Sequence, residues 1–141
     1  MKTSIITAVG SILFQGDKVL LVKHGEAAEH ITGIYGFPSG RVKKNENLKQ
    51  AAIRELEEET GLKTSEADLS EYPNNFYTAL INRKGGIKVK ASIKIFICKN
   101  YFGELKTSEE TIPQWLKINE LTKYNLLPNI EKAVQDAFNY L

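Results

Sequence analysis

The chain has 141 residues, which is enough for one domain whose core needs no disulfide bridges. Its 42% hydrophobic and 26% charged residues are typical of a soluble globular protein. The net charge of +2 is too small for a protein that coats nucleic acid, so we expect no nucleic-acid partner. We therefore predict a single domain over residues 1–141.

Neither a membrane span nor a secretion signal is predicted. No apolar run approaches the roughly 20 residues that cross a bilayer, and the N-terminal segment lacks the apolar core of a signal peptide. We therefore expect a cytoplasmic protein with no membrane partner. Cys98 is the only cysteine, which excludes an intrachain disulfide and a multi-cysteine zinc site. It lies in an apolar run and is predicted to be buried.

Short strands separated by turns are predicted for the first part of the chain. Residues 5–14 indicate a strand and residues 15–17 a turn. The continuously apolar residues 19–22 are typical of a strand that is buried on both faces. Residues 25–33 are small and polar, and we expect them to form a mobile surface loop.

One well-delimited helix is predicted next. The turn-forming residues 35–40 lead into it, and Asn47 is a suitable N-cap. Gly61 is a suitable residue just past its C-terminal end. We therefore expect a helix from Asn47 to Thr60.

Strands dominate the second part of the chain. Residues 75–82 and 87–99 are strand-like, and Gly85-Gly86 between them indicates a hairpin. A further strand is predicted at 114–118, and Pro128 is predicted to open a last helix, whose apolar residues follow helical spacing. Because the two helices are far apart in sequence, the pattern favours an α/β fold with a mixed sheet flanked by helices over a doubly wound fold.

The helix at residues 47–60 has an unusual acidic face. Its apolar residues share one arc, whereas Glu55, Glu58 and Glu59 share another. Carboxylates at these spacings repel one another by a few tenths of a kcal/mol per pair. A hard divalent cation would remove this cost, and ligands that are all oxygen atoms indicate Mg²⁺, with Mn²⁺ as a possible substitute.

The helix alone does not decide between a metal site and an ordinary solvated surface, in which Arg54 would pair with Glu58. The flanking residues favour the metal site, because the segment 40–62 resembles the box of the Nudix hydrolase family. Nine residues occupy the fixed positions of that box without a gap, namely Gly40, Glu46, Arg54, Glu55, Leu56, Glu58, Glu59, Gly61 and Leu62.

The resemblance implies a Nudix-type α/β/α sandwich around a mixed β-sheet. It also implies hydrolysis of a diphosphate linkage in a nucleoside triphosphate or a nucleoside diphosphate derivative, including damaged nucleotides. Water would attack a phosphorus atom while a bound cation offsets the charge on the phosphate oxygens. Glu55, Glu58 and Glu59 would be the metal ligands, with the backbone carbonyl of Gly40 as a further one.

Other roles implied by the resemblance concern residues around these ligands. Arg54 would orient the glutamates through charge-assisted hydrogen bonds, and Glu46 would support Arg54 or a further metal ion. The general base would be a glutamate of the box or a carboxylate from a distal loop, where Glu109 and Glu110 precede the last predicted strand. The alternative for these two residues is an exposed acidic loop.

Two other functions stay open at this point. A Nudix-fold module that senses a nucleotide without hydrolysing it is one, although such modules usually have eroded boxes. An ADP-ribose-type pyrophosphatase is the other, and the identity of the nucleotide is not determined. We expect the protein to be a monomer or a homodimer.

Several polar residues outside the box are ambiguous. Ser39 stands where the family commonly has a glycine, so the turn before the box is expected to differ. We interpret His24 and His30 as solvated polar residues, with substrate contact as the alternative. The basic hairpin residues are interpreted as protection of an exposed strand edge rather than as a phosphate site, and they are Arg83, Lys84, Lys88 and Lys90.

Overall fold

The computed structural model describes residues 4–141, which form nine strands and two α-helices. In chain order these are β1 (Ser4–Ile12), β2 (Phe14–Gln15), β3 (Lys18–His24), β4 (Tyr35–Gly36), β5 (Ser39–Arg41), α1 (Leu48–Thr60), β6 (Leu69–Ser70), β7 (Phe76–Asn82), β8 (Lys88–Cys98), β9 (Thr111–Lys117) and α2 (Ile130–Tyr140). Within this part of the chain, no helix is long and apolar enough to cross a membrane.

The strands form two sheets. The first is mixed, with the order β5-β1-β8-β6 and β7 also paired with β8. In it β1 and β8 are parallel, and the other pairs are antiparallel. The second sheet is antiparallel, with β3 paired to β2, β4 and β9. The predicted mixed sheet is therefore confirmed, and it is accompanied by a second, smaller sheet.

Two hydrophobic clusters give the molecule its layers. One cluster lies beneath α1 and includes the fully buried residues Val9, Leu20 and Leu56. The other packs against α2 and includes Ile12 and Val134. Because a helix covers each cluster, the fold is the α/β/α sandwich that the sequence predicted.

The ends of α1 agree with the prediction. The side chain of Asn47 accepts a hydrogen bond from the amide of Gln50, whose own side chain accepts one from the amide of Asn47. This reciprocal pair is a capping box. Gly61 has a φ of 84°, and its amide donates to the carbonyl of Glu57. Both ends of the helix are therefore fixed by local sequence.

Other predicted boundaries were less accurate. The first strand was predicted as 5–14 but ends at Ile12, and Phe14 begins a strand of the other sheet. The strand predicted at 114–118 begins at Thr111, because it pairs with β3 as far as His24. The last helix begins at Ile130, since Asn129 has a φ of 70°. Cys98 is buried, as predicted.

Candidate active site

Arg54, on α1, is the centre of a network of carboxylates. Its Nε and Nη2 atoms donate to the two carboxylate oxygens of Glu46, at 2.6 and 2.9 Å. Its Nη1 atom donates to Glu55 at 2.6 Å and to Glu58 at 3.2 Å. Nη2 also donates to the carbonyl of Arg41 at 3.0 Å. This fork-like pairing fixes the guanidinium plane and, with it, the direction of the glutamates.

The pair between Arg54 and Glu46 alters the protonation of both groups. Hydrogen bonds from Arg54, and then from the amide of Lys43, lower the pKa of Glu46 to about 2. The hydrogen bond to Glu46 raises the pKa of Arg54 above its usual value. Both groups therefore stay charged at every pH at which the protein is expected to be folded.

Glu59 lies on the inner side of the same helix face. One of its oxygens accepts a hydrogen bond from the amide of Ser39 at 2.7 Å. Burial, together with the charges of Glu55, Glu58 and Glu110, raises the pKa of Glu59 to about 8 against the effect of this bond. Without a cation, this carboxyl group therefore keeps its proton at neutral pH.

Gly40 is required by space rather than by backbone conformation. A Cβ atom at this position would lie 2.2 Å from Cδ of Glu55 and 2.4 Å from each of its carboxylate oxygens. Neither Gly40 nor Ser39 has a positive φ. The serine in place of the usual glycine therefore does not strain the turn, whereas Gly40 makes room for the Glu55 carboxylate.

The three helix glutamates differ in exposure. The side chain of Glu55 is 14% exposed and that of Glu58 is 53% exposed, so Glu58 lies on the solvent side. Burial raises the pKa of Glu55, and Arg54 partly opposes the shift. The structure thus places Glu55 against Gly40 and Glu58 towards solvent, and Arg54 donates hydrogen bonds to both carboxylates.

This arrangement fits a hard divalent cation. In residues 4–141, Oε2 of Glu55 and Oε2 of Glu59 accept no hydrogen bond, so each is available as a ligand. Within the described residues, no three His, Cys, Asp or Glu side chains lie together in an arrangement that already binds a metal ion. A cation would therefore complete its coordination with waters, as Mg²⁺ commonly does, or with small movements of these side chains.

The distal loop at residues 108–110 carries two acidic residues, Glu109 and Glu110. The segment that leads into this loop contacts the end of α1, because the amide of Lys106 donates to the carbonyl of the last residue of that helix at 2.8 Å. The backbone carbonyls of both acidic residues accept hydrogen bonds from the loop at residues 25–30. Both side chains are exposed, and of the two only the charge of Glu110 contributes to the raised pKa of Glu59.

A cleft begins beside the cluster of helix glutamates. Ser39, Gly40 and Arg41 line one end of it, and apolar side chains of β1, β7 and β8 line its floor. Polar groups of His30, Arg83 and Asn129 also face the cleft. The cleft is thus mostly apolar with a few polar groups, which is typical of small-molecule sites.

The interpretation of His24 as a solvated residue was wrong. Its side chain is buried, its Nδ1 lies 2.9 Å from the carbonyl of Ile34, and its ring is 4.4 Å from the ring of His30. Burial lowers the pKa of His24, and burial together with the neighbouring His24 lowers the pKa of His30 to about 3. Both rings are therefore neutral at physiological pH. The sequence contained one hint, because His24 lies two residues after the apolar run 19–22 and so falls on the same face of an extended strand as Leu20 and Val22.

The family model of the NUDIX domain matches residues 5–137 of this chain. The chain belongs to the Nudix family. An 8-oxo-dGTP diphosphatase of Buchnera aphidicola (subsp. Schizaphis graminum) is 25% identical over 114 residues, which cover 81% of this chain and 78% of that protein. A CTP pyrophosphohydrolase of Escherichia coli K12 is 26% identical over 124 residues, which cover 88% and 84% of the two chains.

Solved structures show the same fold. The crystal structure of a MutT Nudix hydrolase from Burkholderia pseudomallei superimposes with a TM-score of 0.73 at 20% identity, over 94% of this chain and 98% of that one. As a member of the family, this Nudix chain is a hydrolase of pyrophosphate bonds, and such enzymes generally use a divalent metal ion. The prediction made from the box is confirmed at this level.

Replacing Gly40 by Ala tests whether this glycine makes room for a metal ligand. Because a Cβ atom would displace the Glu55 carboxylate, we expect affinity for Mn²⁺ to fall roughly 10- to 100-fold, as for other groups that orient ligands. Titration calorimetry with Mn²⁺ measures this. In a Glu55→Ala background the same substitution should cost no further affinity. A loss of equal size in both backgrounds would contradict this account of Gly40.

The buried Glu59 carboxyl predicts a pH dependence of the metal-free protein. Its pKa rises from 4.5 in the unfolded chain to about 8 in the folded one, so the folded state holds an extra proton between these values. The free energy of unfolding contributed by this group is therefore largest below pH 4.5 and is lost as the pH rises to about 8.

Urea unfolding in EDTA at pH 5, 6.5 and 8 measures this loss. The stability of the wild type should fall relative to that of Glu59→Gln, which cannot ionise, as the pH rises through this range. Glu57→Gln is the matched control, because Glu57 is exposed on the same helix. Parallel curves for the wild type and Glu59→Gln would contradict the assignment.

Proposed function

We propose that the protein uses Mg²⁺, or Mn²⁺ in its place, to hydrolyse a diphosphate linkage in a nucleoside triphosphate or a nucleoside diphosphate derivative. The observation that carries this proposal is the set of three glutamates on one face of α1, at the end of an open cleft, with Glu55 against Gly40 and Glu59 against the amide of Ser39. Family membership establishes the pyrophosphate chemistry, and this cluster supports the choice of residues.

In this proposal Glu55, Glu58, Glu59 and the carbonyl of Gly40 hold the cation. The cation, when bound, offsets charge on the phosphate oxygens and makes a bound water more acidic. Arg54 makes no contact with substrate, because each of its donor nitrogens is already used by Glu46, Glu55, Glu58 or the Arg41 carbonyl. Its role is to keep the ligands aligned.

Glu110 is the general base in this proposal. It is exposed, it follows a segment that is bound to the end of α1, and its charge contributes to the raised pKa of Glu59, which together support it as the acceptor of a proton from a water beside the cluster. That water then bonds to phosphorus, and the bridging oxygen leaves with the bond electrons. Glu109 is assigned no part in the proton transfer, because its charge does not contribute to the pKa of Glu59.

The nucleoside would lie in the cleft, with its diphosphate directed at Ser39, Gly40 and Arg41. The apolar floor suits a base, and the polar groups of His30 and Asn129 suit its edge. The names of the two relatives, an 8-oxo-dGTP diphosphatase and a CTP pyrophosphohydrolase, favour nucleoside triphosphates, including damaged ones. ADP-ribose is the alternative substrate.

A nucleotide panel with Mg²⁺ tests this function. We expect hydrolysis of at least one among 8-oxo-dGTP, dGTP, CTP, a dinucleoside polyphosphate and ADP-ribose. Reaction in ¹⁸O-labelled water then identifies the attacked phosphorus from the product that contains the label. Tight binding of a nucleotide without turnover would instead indicate a sensor module.

Substitution of the helix glutamates tests the proposed metal ligands. Glu58→Gln and Glu59→Gln should lower kcat/KM at least about 100-fold, because a catalytic cation supplies several kcal/mol and each 1.4 kcal/mol is a factor of ten. Glu57→Gln, on the same helix but outside the cluster, should leave the rate unchanged. Equal rates in all three variants and the wild type would rule out this cluster.

A further inference from the structure

The ammonium group of Lys84 is bound by the backbone of a surface loop at residues 25–28, more than 50 positions earlier in the chain. Lys84 follows β7, in the turn before β8, where Gly85 and Gly86 have positive φ. Its Nζ lies 2.6 Å from the carbonyl oxygen of Glu26, 2.8 Å from that of Ala28 and 3.4 Å from that of Gly25. Three carbonyl oxygens use all three donors of an ammonium group. This is a specific site, unlike the exposed lysine that the sequence suggested.

Further bonds join the same turn to residues 25–30, which we call the 25–30 loop. The amide of Lys84 donates to the carbonyl of Glu29 at 3.3 Å. Arg83 pairs with the Glu29 carboxylate at 2.7 Å and forms an isolated β-bridge with His30. The loop is thus bound along its length, which argues against the mobility expected from its composition.

The opposite side of the 25–30 loop contacts the loop at residues 108–110. The amide of Gly25 donates to the carbonyl of Glu110 at 2.8 Å, and the amide of Ala27 to that of Glu109 at 3.3 Å. A Cβ atom on Gly25 would lie 2.2 Å from the Glu109 carbonyl oxygen. The two loops therefore approach each other so closely that only glycine fits at position 25.

We propose that Lys84 is a positioning residue, which fixes the 25–30 loop and through it the place of Glu110 beside the helix glutamates. This inference rests on the proposed function, since it assigns Lys84 to the same reaction. Lys84 contacts neither the metal ligands nor Glu110 itself. Its effect passes through two backbone hydrogen bonds, those of Gly25 and Ala27.

The chemistry of the contact explains why a lysine is needed. Carbonyl dipoles that converge on one point repel one another, and a positive charge among them reverses the sign of that interaction. A side chain of similar length without charge, such as Met, would leave the three oxygens of residues 25, 26 and 28 without a donor. The 25–30 loop would then lose its fixed conformation.

Hydrogen exchange tests the structural part of the proposal, and it does not depend on activity. In Lys84→Met, the amides of Gly25 and Ala27 should exchange at least about tenfold faster than in the wild type, because their hydrogen bonds to the carbonyls of Glu110 and Glu109 protect them only while the loops are in contact. Amides within α1 should be unaffected. Lys88→Met, which removes an exposed lysine of the same hairpin, is the matched control.

Kinetics test the catalytic part. Lys84→Met should lower kcat roughly tenfold through misplacement of the base, while Mn²⁺ affinity at the helix glutamates stays unchanged. In a Glu110→Gln background the same substitution should change kcat by less than about twofold, because the group to be positioned is gone. Gly25→Ala, which forces the loops apart while Lys84 itself is retained, should reproduce the loss of kcat.

The outcomes separate this inference from the proposed function. Unchanged exchange at Gly25 and Ala27 would overturn the role of Lys84, whatever the activity. An equal loss of kcat with and without Glu110 would show that Lys84 acts only on stability, and would also overturn it. If the wild type hydrolyses no nucleotide, the proposed function fails and with it the catalytic part, while hydrogen exchange still decides whether Lys84 fixes the loops.

Discussion

The pairing of Arg54 with Glu46 is the interaction on which the rest of the site depends. Four glutamates lie close together, and a single guanidinium contacts three of them. Its fork-like bond to Glu46 fixes the plane of the group, so the bonds to Glu55 and Glu58 have a defined direction. Glu46 is thus as important for the ligands as any residue of α1, although it lies outside the helix and is not directed at the cleft.

The strand β5 supplies the second constraint. It pairs with β1 and thereby holds Gly40 against the Glu55 carboxylate and the Ser39 amide against Glu59. The backbone of β5 thus leaves space for the Glu55 carboxylate and donates a hydrogen bond to the carboxylate of Glu59. Burial of these groups raises the pKa values of Glu55 and Glu59, and a bound cation would favour their charged forms.

Much of this could be predicted from the sequence, because the box is contiguous. The ends of α1 depend on local hydrogen bonds, between Asn47 and Gln50 and between Gly61 and Glu57. Asn47 and Gly61 were predicted to mark these ends from the sequence. The spacing of Glu55, Glu58 and Glu59 also follows from helix geometry alone. The reason for Gly40 could not be derived in this way, since it depends on a contact across 15 residues that only the pairing of β5 creates.

Contacts between distant segments account for the features that sequence reasoning missed. His24 is buried because β3 pairs with β9 as far as its last residue, and neither strand indicates this pairing by itself. The site of Lys84 joins residues more than 50 positions apart. The hydrogen bonds that the carbonyls of Glu109 and Glu110 accept depend on the same packing of loops, and the sequence alone left both residues as candidates.

Anomalous scattering from a crystal grown with Mn²⁺ tests the central claim most directly. The account predicts a peak within about 2.5 Å of carboxylate oxygens of Glu55, Glu58 and Glu59, beside the carbonyl of Gly40, with Arg54 still bound to Glu46. A peak elsewhere, or none at a Mn²⁺ concentration that supports hydrolysis, would contradict it.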